Sequence, residues 1–106
     1  MAQIIWTEPA LSDLNEIAEY IALDKVEAAR LLVEQVFKSV GQLEQFPELG
    51  RKPPELEDSN YREIIINPCR IFYRLDQNKA YILYVMRGER QLRNFLLDGR
   101  AQNISS

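Results

Sequence analysis

Residues 61–86 constrain the fold of this chain more than any other stretch. Three runs rich in Ile, Val, Tyr and Phe are separated there by two turn signals, Asn67-Pro68 and Asp76-Gln77-Asn78. Runs of β-branched and aromatic residues bounded by Asn, Asp and Pro are typical of antiparallel strands joined by tight turns. This stretch therefore predicts a three-stranded antiparallel meander.

The middle run alternates with the period of two that a half-buried strand requires. One of its faces is apolar and needs a cover, whereas the opposite face carries two arginines and is predicted to meet a partner. The apolar face consists of Cys69, Ile71, Tyr73 and Leu75, and the opposite face of Arg70, Phe72, Arg74 and Asp76.

The chain before the meander predicts one strand and a helical hairpin. Residues 2–6 form a short apolar run that suits a first strand. Thr7 is a favourable N-cap for a helix over residues 8–23, and Asp24 is predicted to cap a second helix. This second helix is expected to stop at Phe46-Pro47, because proline disfavours helical geometry in the residue before it.

The predicted architecture is α+β, with the N-terminal strand in the same sheet as the meander and the helical hairpin packed on one face. The 106 residues are enough for a single domain, predicted over residues 1–98. Residues 89–97 are predicted to form a short helix, and residues 99–106 a frayed tail.

Composition excludes several classes of function. One cysteine and no histidine remove the usual zinc and iron sites, so neither a metal nor a cofactor is expected. The missing histidine also removes the commonest general base. No apolar run approaches the length of a membrane span and no signal peptide is recognisable, so we expect a cytoplasmic protein without membrane contact.

The net charge of −3 is unevenly distributed, with an acidic excess in residues 1–61 and a basic excess in residues 62–106. This asymmetry indicates a basic surface on the sheet and the C-terminal end. A purely structural explanation is equally compatible with this asymmetry, namely that the helices carry more Glu and the strands more Arg. The overall acidity argues against broad, charge-driven adhesion to nucleic acid.

Five stretches follow one another in the order and spacing of a known family. They are Ala10-Leu11-Ser12-Asp13-Leu14-Asn15-Glu16-Ile17, Phe46-Pro47-Glu48-Leu49-Gly50-Arg51, Tyr61-Arg62-Glu63, Arg70-Ile71-Phe72-Tyr73-Arg74 and Val85-Met86-Arg87-Gly88-Glu89-Arg90. Together they resemble the RelE/ParE superfamily of small bacterial toxins, the toxic halves of type II toxin–antitoxin pairs. The likeness covers residues 2–93 and points to the ParE-like branch.

The resemblance implies one of two mechanisms. RelE-like members cut mRNA on the ribosome with basic groups on the sheet and often a C-terminal tyrosine. Were this chain such a nuclease, Arg62, Arg70 and Arg90 would match the catalytic positions. Ile64, however, stands where a lysine acts in those nucleases, and Leu96 near where their tyrosine would be. The pattern therefore keeps phosphate-binding groups and loses the groups that move protons.

ParE-like members are described as blocking DNA gyrase, and the resemblance favours this reading. It implies a gyrase inhibitor that is neutralised by a cognate antitoxin, with ribosome and mRNA as targets only under the alternative. The residues predicted to bind the target are Arg70, Arg87, Arg90 and Arg93. A second alternative also stays open, a non-toxic derivative that acts only with its antitoxin in repression.

The arginines also have a purely structural interpretation. Arg70 and Arg74 could pair with Glu63 or Asp76 across the sheet, for about a few tenths of a kcal/mol each. This pairing is favoured for Arg74 and less so for Arg70. The three arginines nearest the C-terminal end could form no more than a solvated basic surface.

The antitoxin is expected at the edge of the small sheet, as an extended chain, or on the helical hairpin, whose apolar stripe is wide, as an added helix. Leu31, Val33 and Phe37 are the candidate contacts on the second helix. If they remain exposed in the isolated chain, they mark the antitoxin groove.

Overall fold

The computed structural model describes residues 1–88 and 99–101. The predicted helix over residues 89–97, and with it Arg90, Arg93 and Leu96, lies outside the described residues. The described elements are strand β1 (Gln3–Trp6), helix α1 (Glu8–Ala22), helix α2 (Val26–Gly41), and strands β2 (Tyr61–Ile66), β3 (Cys69–Asp76) and β4 (Lys79–Arg87), with single 3-10 turns at Gln42–Glu44 and Pro54–Leu56.

The four strands form one sheet in the order β1-β4-β3-β2. Strands β2, β3 and β4 pair antiparallel, as the turn signals predicted, while β1 pairs parallel with β4 through Gln3 opposite Lys79 and Trp6 opposite Ile82. The predicted α+β class and the placement of the first strand in the common sheet are confirmed. Within the described residues no helix has the length and apolar character needed to cross a membrane.

Helix α1 begins where the sequence predicted. Thr7 has extended backbone angles, and its Oγ1 accepts a hydrogen bond from the Ala10 N–H at 3.4 Å. The same hydroxyl donates to the Ile82 carbonyl at 2.7 Å. The N-cap therefore satisfies a helix end and also joins it to the sheet.

The predicted Asp24 cap of α2 is wrong. The N–H groups of Asp24 and Lys25 both donate to the Ile21 carbonyl, at 3.0 and 2.9 Å, so Asp24 completes the last turn of α1. Helix α2 then begins at Val26 after Lys25, without a side-chain cap. Its regular helix also ends earlier than predicted, at Gly41, and passes into the 3-10 turn before Phe46.

The main core lies between the helical hairpin and the sheet. The predicted apolar face of β3 contributes to it, since Cys69, Ile71 and Tyr73 are fully buried there. The buried members from the helices and the turn after them are Ala10, Leu14, Ile17, Leu32, Val36, Val40 and Leu43.

A second apolar cluster covers part of the opposite sheet face, which the sequence predicted to meet a partner. Phe72 and Leu83 are fully buried in it, and Ala101 is 4% exposed. Residues 99–101 are helical and pack on this cluster, so the expected frayed tail does not begin at residue 99. The physical reason is an apolar strip on β4 that needs its own cover.

An ion pair fixes residues 99–101 at an irregularity in the sheet. The pairing register shifts between Phe72 and Tyr73, so that Leu83 has no partner on β3. Arg100 Nη1 donates to the Leu83 carbonyl at 2.9 Å and to Asp13, whose carboxylate accepts from the Val85 N–H at 3.0 Å. The Arg100 guanidinium and the Asp13 carboxylate thus bind backbone groups where the β-bulge interrupts the hydrogen bonds between strands.

The Cys69 thiol provides a test of the main core. The residue is fully buried, and this burial raises the pKa of the thiol, opposed only by the nearby Arg87 charge. Because the thiolate is the reactive form, we expect negligible modification of the native protein by a disulfide reagent. The rate should rise with denaturant in parallel with unfolding followed by circular dichroism. Rapid stoichiometric reaction of the native protein would contradict this packing.

Candidate functional site

Arg70 on β3 is bound by two carboxylates. Its Nε and Nη2 donate to Glu63 Oε2 at 3.1 and 2.6 Å. Its Nη1 and Nη2 donate to the two oxygens of Glu55, each at 2.9 Å, and the side chain is only 12% exposed. The hydrogen bonds that Arg70 donates to Glu55, and then those to Glu63, raise the pKa of the guanidinium despite partial burial. Arg70 is thus a structural cation in this conformation.

Glu63 on β2 is the buried centre of this arrangement, with 1% of its surface exposed. Its Oε1 accepts from Arg51 Nε at 2.8 Å, and the backbones of Arg51 and Glu63 form an isolated antiparallel bridge. We call these four residues, Glu63, Arg51, Arg70 and Glu55, the Glu63 cluster. It fastens the loop between α2 and β2 to the edge of the sheet.

Arg62, the neighbouring basic position, is bound to the same loop. Its Nη1 donates to the carbonyls of Gly50 and Glu48, at 2.8 and 3.3 Å. Behind the loop, the Tyr73 hydroxyl donates to the Pro47 carbonyl at 2.8 Å and accepts from the Gly50 N–H at 2.9 Å. Burial raises the pKa of Tyr73, which keeps this hydroxyl protonated and able to donate.

The other predicted arginines are in different situations. Arg74 lies 3.6 Å from Asp76, the local pairing that the sequence offered as its structural interpretation. Arg87 stacks on the Tyr20 ring, with 4.9 Å from Cζ to the ring centroid. Its buried Nε has no hydrogen-bond partner among the described residues, and no ion pair joins it to Asp13 or Glu16, which line the same small cavity. Arg90 and Arg93 are outside the described residues.

The candidate antitoxin contacts on α2 are partly exposed. Leu31 is 51% and Phe37 43% exposed, whereas Val33 packs against the main core. Phe37 lies beside Trp6 of the edge strand β1, with ring centroids 4.9 Å apart. Leu31 and Phe37 are therefore exposed, as an antitoxin groove on α2 would require. Their role in binding the antitoxin stays a prediction.

Sequence reasoning missed several residues that shape this region. Glu55 was not recognised as a partner of Arg70 because it lies in an irregular loop whose path the sequence does not predict. Asp13 and Arg100 were missed because 87 positions separate them. Glu63 did carry a signal, since an acidic residue on the inward side of a strand requires a nearby cation.

The chemistry available to the described residues is limited. No three of their His, Cys, Asp or Glu side chains are grouped so that they could hold a metal ion. The guanidinium groups of the Glu63 cluster face carboxylates within the molecule. Arg51 and Arg70 are therefore bound within the molecule in this conformation.

The fold and the sequence both match known toxins. The family model for the ParE toxin of the type II toxin-antitoxin system, parDE, matches residues 4–92. The chain belongs to this family. It is also 34% identical over 68 residues to Toxin RelE2 of Caulobacter vibrioides, a match that covers 64% of this chain and 73% of that protein.

A solved structure supports the same conclusion. The fold of this ParE-family chain is similar to one in the structure titled "Chromosomal ParDE TA system from P. aeruginosa", with a TM-score of 0.68 and 27% sequence identity. The match covers 82% of this chain and 96% of that one. The predicted membership of the RelE/ParE superfamily is thus confirmed, and this protein is a type II toxin–antitoxin toxin.

Proposed function

We propose that this ParE-family toxin acts by binding and inhibiting DNA gyrase, and that a cognate antitoxin neutralises it. Family membership supports the toxin role. The solved ParDE system to which the fold is similar supports the antitoxin as partner. The choice of gyrase rather than mRNA rests on the state of the sheet arginines.

The proposal depends on one observation, namely that the carboxylates of Glu63 and Glu55 both bind Arg70. A ribonuclease needs groups that activate the ribose 2′-hydroxyl, stabilise the phosphate and protonate the leaving oxygen. Arg70 would first have to leave Glu63 and Glu55, and Arg62 would have to leave two carbonyls. The chain contains no histidine to move protons. A toxin built in this way holds its target rather than cleaving it.

The alternative is a RelE-like ribosome-dependent mRNA endoribonuclease, and one observation favours it. The relative at 34% identity is named Toxin RelE2. Under this alternative Arg62, Arg70 and Arg90 would contact RNA, and Arg70 would exchange its carboxylate partners for a phosphate. Two buried or half-buried carboxylates beside that phosphate would repel it, which weighs against the alternative.

We propose that the antitoxin covers the exposed side of α2. Leu31 and Phe37 supply apolar anchors, and Val33 lies between them in the sequence with part of its surface accessible. An amphipathic helix or an extended apolar segment fits such a surface. Arg87 remains a proposed target contact, since no carboxylate among the described residues neutralises it.

Purified protein is expected to inhibit negative supercoiling of relaxed plasmid by DNA gyrase in a dose-dependent way. The mechanism requires a specific gyrase contact, so ATP-independent relaxation by a type I topoisomerase should be unaffected at the same concentrations. Adding the cognate antitoxin at equimolar ratio should restore supercoiling. Unchanged supercoiling at a large molar excess of toxin would contradict the proposal.

A further inference from the structure

The tip of the helical hairpin exposes three large apolar side chains within seven residues. Tyr20 is 61%, Leu23 85% and Val26 72% exposed. We call Tyr20, Leu23, Asp24 and Val26 the hairpin tip. A cavity of about 550 Å³ exists elsewhere, near Phe46, but Leu23 and Val26 of the tip have the two largest exposed fractions among the internal apolar side chains that the structure describes.

The fold itself does not require apolar residues at the tip. Leu23 follows the last residue of α1, and its backbone N–H is already satisfied by the Glu19 and Tyr20 carbonyls. A polar residue could close this turn equally well, as Asp24 and Lys25 do beside it. An open depression of about 470 Å³ is lined by Tyr20, Ile21, Leu23 and Asp24. Exposed apolar groups around a concavity are typical of an interaction surface.

Acidic side chains surround the tip. Glu16, Glu19 and Asp24 are all exposed on or just after the last two turns of α1. Glu27 is balanced by Arg30, which also pairs with Glu34, so this part of α2 contributes no positive excess. The basic residues here are Lys25 within the turn and Arg87 against Tyr20, so the three carboxylates leave an acidic excess. The surface that complements the tip is therefore apolar at its centre and basic at its rim.

On and beside the sheet, the arginines Arg51, Arg62 and Arg70 are bound within the molecule. Arg70 and Arg51 are held by Glu63, and Arg62 is held by the Gly50 carbonyl. The predicted target contact that remains in the described chain, Arg87, lies against Tyr20 and so borders the tip. Its stacking orients the tyrosine ring from one side.

We propose that the hairpin tip is the surface through which this toxin contacts DNA gyrase, docking beside the basic surface on which gyrase holds DNA. This inference rests on the proposed function and adds the contact surface to it. An enzyme that holds DNA must present Lys and Arg along the path of the phosphates. The acidic rim complements such a surface, and Leu23 with Val26 supplies the apolar anchors that dominate binding at protein interfaces.

The test compares the double substitution Leu23→Ser/Val26→Ser with Leu49→Ser/Ile65→Ser. The control removes two apolar side chains of 51% and 49% exposure away from the tip. Both variants should keep the far-ultraviolet spectrum and melting temperature of the wild type, because none of the four side chains is buried. The tip variant is expected to need at least about tenfold more protein for half-inhibition of supercoiling, and the control less than about twofold more.

A charge test addresses the rim separately. Glu19→Lys/Asp24→Lys should raise the half-inhibitory concentration by about tenfold, whereas Glu57→Lys/Asp58→Lys, with the same change in net charge, should not. Equal effects of both pairs would show that only net charge matters and would overturn the docking site.

The outcomes separate this inference from the proposed function. Absence of inhibition by the wild type overturns both. Inhibition by the wild type that persists unchanged in the tip variant overturns the hairpin tip alone. Analytical sedimentation of the wild type and of each variant tests whether a second copy of the chain binds the hairpin tip instead. A wild-type dimer that the tip substitutions convert to a fully inhibitory monomer would also overturn the inference.

Discussion

Glu63→Ala is expected to lower the free energy of unfolding by about 3–5 kcal/mol, the largest effect that we expect of a polar substitution among the described residues. The carboxylate is fully buried and accepts from Arg70 and Arg51 on its two oxygens. Removing it leaves two guanidinium groups beside a buried void, with Arg70 retaining only Glu55. Urea unfolding followed by circular dichroism measures the change.

A matched control separates burial from charge. Glu27→Ala also removes a carboxylate that binds an arginine, Arg30, but both side chains are more than half exposed. Because solvent screens such a pair, its unfolding midpoint should stay at the wild-type value. If the two glutamate substitutions had equal effects, the Glu63 cluster would not be what holds the loop to the sheet.

Gly50→Ala is expected to lower the free energy of unfolding by about 3 kcal/mol, since overpacking a rigid site displaces its neighbours. A Cβ at this position would lie 2.6 Å from Tyr73 Cε1 and 2.7 Å from the Glu63 carbonyl oxygen. Neither atom is the end of a flexible side chain. The loop would have to move away, and the hydrogen bonds of Tyr73 with Gly50 and Pro47 would be lost.

Gly41→Ala is the control for this substitution. A Cβ at Gly41 meets no atom within 4 Å, and the residue ends α2 in a helical conformation. Alanine should therefore stabilise the protein by about 0.5 kcal/mol through its higher helix propensity. Thermal melts of both variants give the comparison, and a wild-type melting temperature for Gly50→Ala would show that the loop is not packed on Tyr73 as described.

The local elements of this fold could be predicted because their signals are local. Thr7 carries the capping hydroxyl beside the helix that it begins, and the turns at Asn67 and Asp76 separate runs with the period of a strand. Asp24 misled the prediction because the same residue type is compatible with the end of one helix and the start of the next. Backbone hydrogen bonds to Ile21 decide between them.

The long-range packing could not be predicted from the sequence. The parallel pairing of β1 with β4 joins residues more than seventy positions apart, and no local pattern specifies it. The second apolar cluster was missed for the same reason, since Phe72 was assigned to a face with two arginines and its cover comes from residues 99–101. The bulge at Leu83, which brings Leu83 and Tyr84 into the same cluster, breaks the simple alternation.

In the candidate site, too, the sequence predicted local features but not the contacts between distant residues. Arg70 was identified as either a phosphate contact or a partner of Glu63, and the decision required the position of Glu55 on a loop rich in proline. Leu31, Val33 and Phe37 were named as candidates whose exposure the sequence left open, and Leu31 and Phe37 are exposed. The hairpin tip was overlooked because apolar residues at the end of a helical stripe resemble a continuation of the core.

Cleavage of mRNA on translating ribosomes tests the central claim most directly, since that claim makes the sheet arginines structural. Primer extension on a translated message should reveal no new 5′ ends at toxin concentrations that inhibit gyrase supercoiling. New 5′ ends that appear with the wild-type protein and disappear with Arg62→Ala, while that variant keeps its fold, would contradict the account.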